Sequence, residues 1–314
     1  MTPDPPAAMA RAPRPALRDW WDLMSGAIAA WRNDYAPSMG AALSYYSVFS
    51  LAPLLLIVVS IAGLAFGAEA ARGEVFGQLR GLMGDEAAAA VQALLASLAQ
   101  RERGLTSTIV GAVALLIGAT SVFGELQDAL DRVWRAPLRE RSGGIWRLVR
   151  SRLLSFGMIL GIAFLLMVSL VLSAVISALG KWWAGAFGEW ELLLQSVNFV
   201  VGYVMTTLVF ALIYKVMPRV DVRWKDVWLG AAITALLFTI GRFLIGLYIG
   251  KSGIASGFGA AGSVAIVFVW VYYSAQIFLL GAEFTWLYAR RFGSMRFLPD
   301  APAAPVLPLK ETHK

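Results

Sequence analysis

The sequence predicts an all-α membrane protein, a six-transmembrane-helix bundle with amphipathic surface helices and both termini on the cytoplasmic side. Three observations predict it. Apolar residues make up 59% of the chain and charged residues 15%, against about 45–50% and about 25% in soluble domains. The apolar residues gather into six long runs. The basic residues concentrate on alternate loops between those runs.

The runs lie near 43–66, 105–123, 153–179, 193–216, 227–249 and 262–288. Each exceeds about 18 residues, the length needed to span a hydrocarbon core of roughly 30 Å. Leu153 to Leu179 holds no charged residue. Lipid offers no hydrogen bonds, so each run must satisfy its backbone internally as a helix. The alternating segments of about ten residues that build a β-barrel are missing. Residues 17–295 therefore read as a single helical membrane domain. Residues 1–16 and 296–314 are Pro-rich and read as disordered tails. The first tail lacks the apolar core of a secretory signal.

Orientation follows from charge. Of the 27 Lys and Arg residues, twenty fall in the N-terminal segment, the loops after spans two and four, and the C-terminal segment. Six fall on the other side, and Arg242 lies inside a span. The positive-inside rule then places both termini of a multi-pass protein in the cytoplasm. The net charge of +7 is on this reading an orientation signal and a contact for anionic lipids of the cytoplasmic leaflet. It is not a nucleic-acid signature.

Three segments outside the spans carry helical periodicity. Residues 17–33 place Leu17, Trp20, Trp21, Met24, Ile28 and Trp31 at helical spacing. This amphipathic helix either lies on the membrane surface or packs against the bundle. Residues 73–100 contain two apolar stripes separated by Gly84, Asp85 and Glu86. They predict two short outer helices, with Asp85 a candidate N-cap for the second. Residues 124–136 extend span two, with Asp128–Arg132 and Asp131–Arg135 spaced as i,i+4 pairs.

Residue types that are missing exclude much chemistry. The chain has no Cys, and its one His is residue 313. No thiol nucleophile is available, and a His-ligated metal site or a Ser–His–Asp triad is not expected. The G-x-G-x-x-G at Gly257, Gly259 and Gly262 precedes an apolar run and follows no strand, so it fails the dinucleotide-site context. No catalytic residue, metal or cofactor is predicted, and the chain is read as a non-enzyme.

Ionisable and polar residues within spans are the candidate sites, because they cost free energy unless paired or hydrated. Arg242 lies in the outer half of span five, with Asn198 of span four at a similar depth. Its alternatives are snorkelling, a structural hydrogen-bond hub, or a cavity cation for a phosphate or carboxylate. Tyr45 and Tyr46 of span one, Glu125 after span two, and Gln276 and Glu283 of span six form a candidate polar floor in the inner half. Glu125 and Glu283 have a structural alternative as interfacial acids paired with loop arginines such as Arg147 or Arg290. Pro53 is a candidate hinge in span one. Gly157/Gly161 and Gly246/Gly250 are G-x-x-x-G pairs suited to close helix packing.

Several stretches resemble the YihY/BrkB family of bacterial inner-membrane proteins. They are DYAPSMGAALSYYSVFSL from Asp34 to Leu51, GELQDALDRVW from Gly124 to Trp134, RWKDVWLGA from Arg223 to Ala231, and GFGAAGS through GAEFT from Gly257 to Thr285. They fall in the family's order and cover about residues 17–295. Phe258 stands where Tyr is common. The resemblance implies six spans with cytoplasmic termini. Family members have carried the labels ribonuclease BN and virulence factor BrkB. Ribonuclease activity has no support in the residues, since no ligand cluster or RNA groove is evident. The expectation is a transporter or flippase of an amphiphilic anionic envelope molecule, lipid or lipid-linked. The alternative is a membrane scaffold or envelope-assembly factor.

Overall fold

The computed structural model describes residues 17–101, 121–136, 190–253 and 261–296, with Gly161, Leu165 and Val168. The expected spans at 105–123 and 153–179 fall almost wholly outside these residues, as do the two tails and Arg147. The described elements are α1 (Leu17–Asn33), α2 (Ala36–Phe66), α3 (Ala68–Met83), α4 (Asp85–Arg101), α5 (121–133), α6 (Trp190–Val216), α7 (Trp224–Lys251) and α8 (Gly262–Arg291). There is no strand among the described residues. Ser196–Val216 of α6, Trp224–Lys251 and Gly262–Arg291 are long and apolar enough to cross a membrane.

Helix α8 is the hub, with α7, α2, α1 and α4 all packed against it. Two apolar cores stack along it. One, at the end where α6 leads into α7, joins Met39, Leu130, Trp134, Tyr214, Leu279 and Trp286. The other, at the opposite end, joins Val48, Met83, Val91, Ile245, Ile266 and others beneath α3 and α4. The first end also carries Arg219, Arg223, Lys225, Arg290 and Arg291, and is termed the basic end below.

Helix α2 begins seven residues before the apolar run that predicted it. Hydropathy marks only the stretch suited to lipid, whereas the added turns are small or polar and lie against α8. Tyr35, at φ 59°, turns the chain out of α1, and its carbonyl accepts from the Ser38 and Met39 N–H groups. Pro37 is tolerated in the first turn, where no intrahelical N–H bond is lost. Pro53 lies within α2, and its side chain is outside the described residues.

Helix α1 takes the packing alternative. Leu23 and Ala27 are buried with Phe284, and Trp20 stacks on Phe284 and Tyr288 at 6.2 and 6.3 Å. Arg291 pairs with Asp19 at 3.1 Å and Asp22 at 3.5 Å. Helices α3 and α4 meet the two-helix expectation, but Asp85 is not the cap. Gly84, at φ 85°, supplies the carbonyl that receives Ala88 N–H, and Asp85 pairs instead with Arg80. Gly246 and Gly250 leave room for Glu86 of α4, whose Oε1 would lie 3.3 Å from a Cβ at Gly250.

The α7–α8 pair is held by reciprocal small-residue contacts. A Cβ added at Gly230 would overlap Thr285, and one added at Gly281 would overlap Thr234. Each threonine hydroxyl donates to the carbonyl four residues back, Thr234 to Gly230 at 2.8 Å and Thr285 to Gly281 at 2.6 Å. Their methyl groups are then free to pack. Buried Tyr214 of α6 ties the pair together, donating to the Phe278 carbonyl at 2.7 Å and lying 3.2 Å from Thr234 Oγ1.

Candidate functional site

Antiparallel packing sets α2 against α8 in a register that brings polar residues together. Ser44 Oγ donates to the Phe268 carbonyl at 3.0 Å. Gly40 lies against the Gln276 amide, too close for any Cβ. Nearer the basic end, Glu283 is fully buried, and the charges acting on it come from Asp34 and Arg135. Positions 276 and 283 are seven residues apart, two turns along one helix face. The result is a polar seam that runs from mid-bundle to the basic end.

Most of this seam is unsatisfied. Glu283 and Asp34 face each other as two acids that can hydrogen-bond only through a shared proton. As carboxylates, neither Glu283 oxygen nor Asp34 Oδ2 has a donor among the described residues, and both polar atoms of Gln276 are unpartnered there. Two buried donors of the core at the same end, Trp31 Nε1 and Trp134 Nε1, are also unpartnered. Buried polar groups are paired in the great majority of cases, so such a cluster needs a reason. Of the arginines considered for Glu283, Arg147 lies outside the described residues, and the charge that opposes the acid pair comes from Arg135. Arg290 lies over the Trp286 ring at 5.5 Å, and Arg135, at φ 49°, lies over it at 4.3 Å.

The remaining predicted residues lie elsewhere. Tyr45 is exposed and packs edge-on to Tyr46 at 5.5 Å and against Phe49 at 4.7 Å. Glu125 is on α5, its carboxyl pushed above the usual range by burial and by neighbouring Asp128, against the pull of Arg132. Asn198 is exposed on α6. Arg242 donates to the Gly81 carbonyl in the last turn of α3, where a cation meets the negative end of the helix dipole. Arg242 and Glu283 are separated along α7 and α8 by about ten residues, or roughly 15 Å at 1.5 Å per residue, so they form no pair.

Arg242→Ala is expected to loosen the α3–α4 pair. Loss of one charge-assisted bond at a partly exposed site is worth about 1 kcal/mol, roughly five-fold faster amide exchange. Hydrogen exchange should show it in residues 68–101 and leave 224–240 unchanged.

Sequence reasoning missed the residues that face these sites. Asp34 belongs to the stretch that carried the family resemblance but was not singled out. Asp131 was expected to pair with Arg135. Instead it accepts the Arg219 N–H at 2.8 Å and meets the Arg219 guanidinium at 3.2 Å. Burial still holds its carboxyl above the usual range, with Arg219 opposing. Gln127 donates to the Met217 carbonyl at 3.1 Å, so α5 braces the α6–α7 turn. Asp226, buried at the start of α7, accepts the Ser294 N–H at 2.8 Å and anchors the end of α8. The signal for Asp226 was an acid in a helix first turn, which is too common to select alone.

Three apolar helices of spanning length, one of which bears the buried polar seam, define an integral helical membrane protein. The chain belongs to the family described as Virulence factor BrkB, which matches residues 27–304. Curated relatives agree. A UPF0761 membrane protein of Tolumonas auensis (strain DSM 9187 / NBRC 110442 / TA 4) is 29% identical over 298 residues, 91% of this chain and 93% of the relative. One of Cronobacter sakazakii (strain ATCC BAA-894) is 26% identical, covering 83% of this chain and 89% of the relative. One of Psychrobacter sp. (strain PRwf-1) is 25% identical over 85% of this chain. The chain spans about half of the Psychrobacter relative's length, 48%. No solved structure matches. Among the described residues, no group of three or more His, Cys, Asp or Glu is placed to hold a metal ion.

Proposed function

We propose that this chain is a six-span, multi-pass protein of the bacterial inner membrane, with both termini cytoplasmic, that passes an amphiphilic anionic envelope molecule between leaflets. The cargo is a lipid or lipid-linked molecule, and no bond is broken. The observation that carries the reading is the unsatisfied α2–α8 seam. Ionisable side chains within membrane spans are costly and are read by default as marks of a substrate or ion path. A polar headgroup moving along the seam would meet Asp34, Glu283 and Gln276 in turn, while its acyl chains stay in lipid. The basic end would gather anionic molecules from the cytoplasmic leaflet. Arg242 at the other end, already engaged with α3, would tie any opening there to movement of the α3–α4 pair.

Single cysteine substitutions test this in a background with no native Cys. Cysteines at Ser44, Gln276 and Asp34 are expected to react with a membrane-impermeant thiol reagent, each protected by anionic lipid extract. Failure of all three to react from either side would remove the path. A scaffold reading draws on α1, whose Trp21 is 76% exposed. It predicts an unreactive seam together with an unchanged lipid profile in a deletion strain.

A further inference from the structure

Away from the seam, the basic end holds a cleft of about 330 Å³ lined by Lys215, Asp221, Arg223, Trp224 and Ser294, among others. That volume falls in the roughly 300–1,000 Å³ range of small-molecule sites. Lys215 Nζ reaches into it, bound to Asp221 at 2.6 Å and to the Val222 carbonyl at 2.7 Å. Arg223 is exposed. It stands at the N-cap of α7 with no side-chain cap bond. The Asp226 and Val227 N–H groups bond to its carbonyl at 3.0 and 3.2 Å, which leaves only the N–H groups of Trp224 and Lys225 to face an anion. Ser294 Oγ is buried and unpartnered among the described residues.

We propose that this cleft binds the phosphate of an anionic phospholipid headgroup. Arg223 offers a planar fork matched to phosphate oxygens and Lys215 a second charge. The source is a lipid because of where the cleft sits. It opens at the first turn of a helix long and apolar enough to cross a membrane. Trp224 and Trp228, four residues apart on one helix face, are 49% and 42% exposed beside it, as tryptophans are at headgroup depth. Two acids border the cleft. Asp226 is occupied by the Ser294 N–H. Asp221 is 95% exposed and held below the usual carboxylate range by Lys215, so it competes with the phosphate for that ammonium and swings out to solvent when displaced. The proposal is independent of whether the chain moves any cargo.

Native mass spectrometry of the full chain in detergent, titrated with phosphatidylglycerol or phosphatidylcholine, tests it. Preferential retention of phosphatidylglycerol is expected. Arg223→Gln should weaken it about five-fold, the share of one basic group near a membrane surface. Asp221→Asn should strengthen it, and Arg18→Gln, on α1, should leave it unchanged. Equal loss in Arg18→Gln and Arg223→Gln would mean diffuse surface charge and overturn the site. Inorganic phosphate that displaces the lipid with the same Arg223 dependence would overturn the lipid assignment in favour of a free anion.

Discussion

Gly281→Leu is expected to leave the chain without a folded α7–α8 pair. Even a single methyl at Gly281 overlaps Thr234, and the same holds for Gly230 against Thr285. The neighbour cannot yield easily. Thr234 is fully buried, bonded to Gly230 and in contact with the Tyr214 hydroxyl. Overpacking of this kind costs about 1–3 kcal/mol for small additions, so Gly281→Ala should lose that much in reversible unfolding in mixed micelles. The leucine variant should lose its monodisperse peak in size exclusion. Thr234→Gly added to Gly281→Ala should recover most of the loss, because the two changes share one contact and cannot be additive. Additive losses would show that the overlap is not the cause.

Glu283→Leu should behave in the opposite way, folding as well as the parent or better and losing function. A buried acid facing another acid without a donor is a burden on the fold. Burying a carboxyl without a compensating partner costs free energy, so a leucine of similar volume should relieve that cost. Residues that cost stability and are kept are the ones expected at working sites. Lipid profiling of a deletion strain complemented with Glu283→Leu should match the deletion, with the protein present at parental level in the membrane. Restoration of the parental profile would remove Glu283 from the path. Loss of profile and protein together would make its role structural.

The helices were legible because lipid imposes a length and a composition that apolar runs display directly. Span ends were less so. α2 begins at Ala36 because Gly40 and Ser44 serve α8 and not lipid, and hydropathy cannot register a residue chosen to fit a neighbour. Gln276 and Glu283 were legible as polar residues in an apolar run. Their counterpart Asp34 was not, because in sequence it sits in a short polar link where an acid is unremarkable. Only the antiparallel register of α2 and α8 turns it into Glu283's neighbour. Arg242 was found for the same reason as Glu283, but its partner, a backbone carbonyl at Gly81, carries no side-chain signature. Asp131 was paired by helix spacing with Arg135, yet the long-range Arg219 offers both a guanidinium and an N–H. Local spacing rules cannot anticipate a partner 88 residues away.

The hub of the bundle is also the last of the described helices to be made. A chain emerging from the ribosome places α1, α2, α4 and α7 in or beside the membrane before α8 exists. Synthesis runs at about 5–20 residues per second, so α7 waits roughly 2–8 seconds and α1 roughly 10–50 seconds with the faces meant for α8 unmatched. Asp34 and Gly40 spend that interval facing lipid, water or an insertion factor. Chains truncated before residue 262 should therefore be the ones that quality-control proteases clear, while losses after Arg296, which spare the Ser294 anchor and buried Met295, should be tolerated. Assembly here is a closing step, and its rate is set by how quickly one late helix finds four that are already waiting.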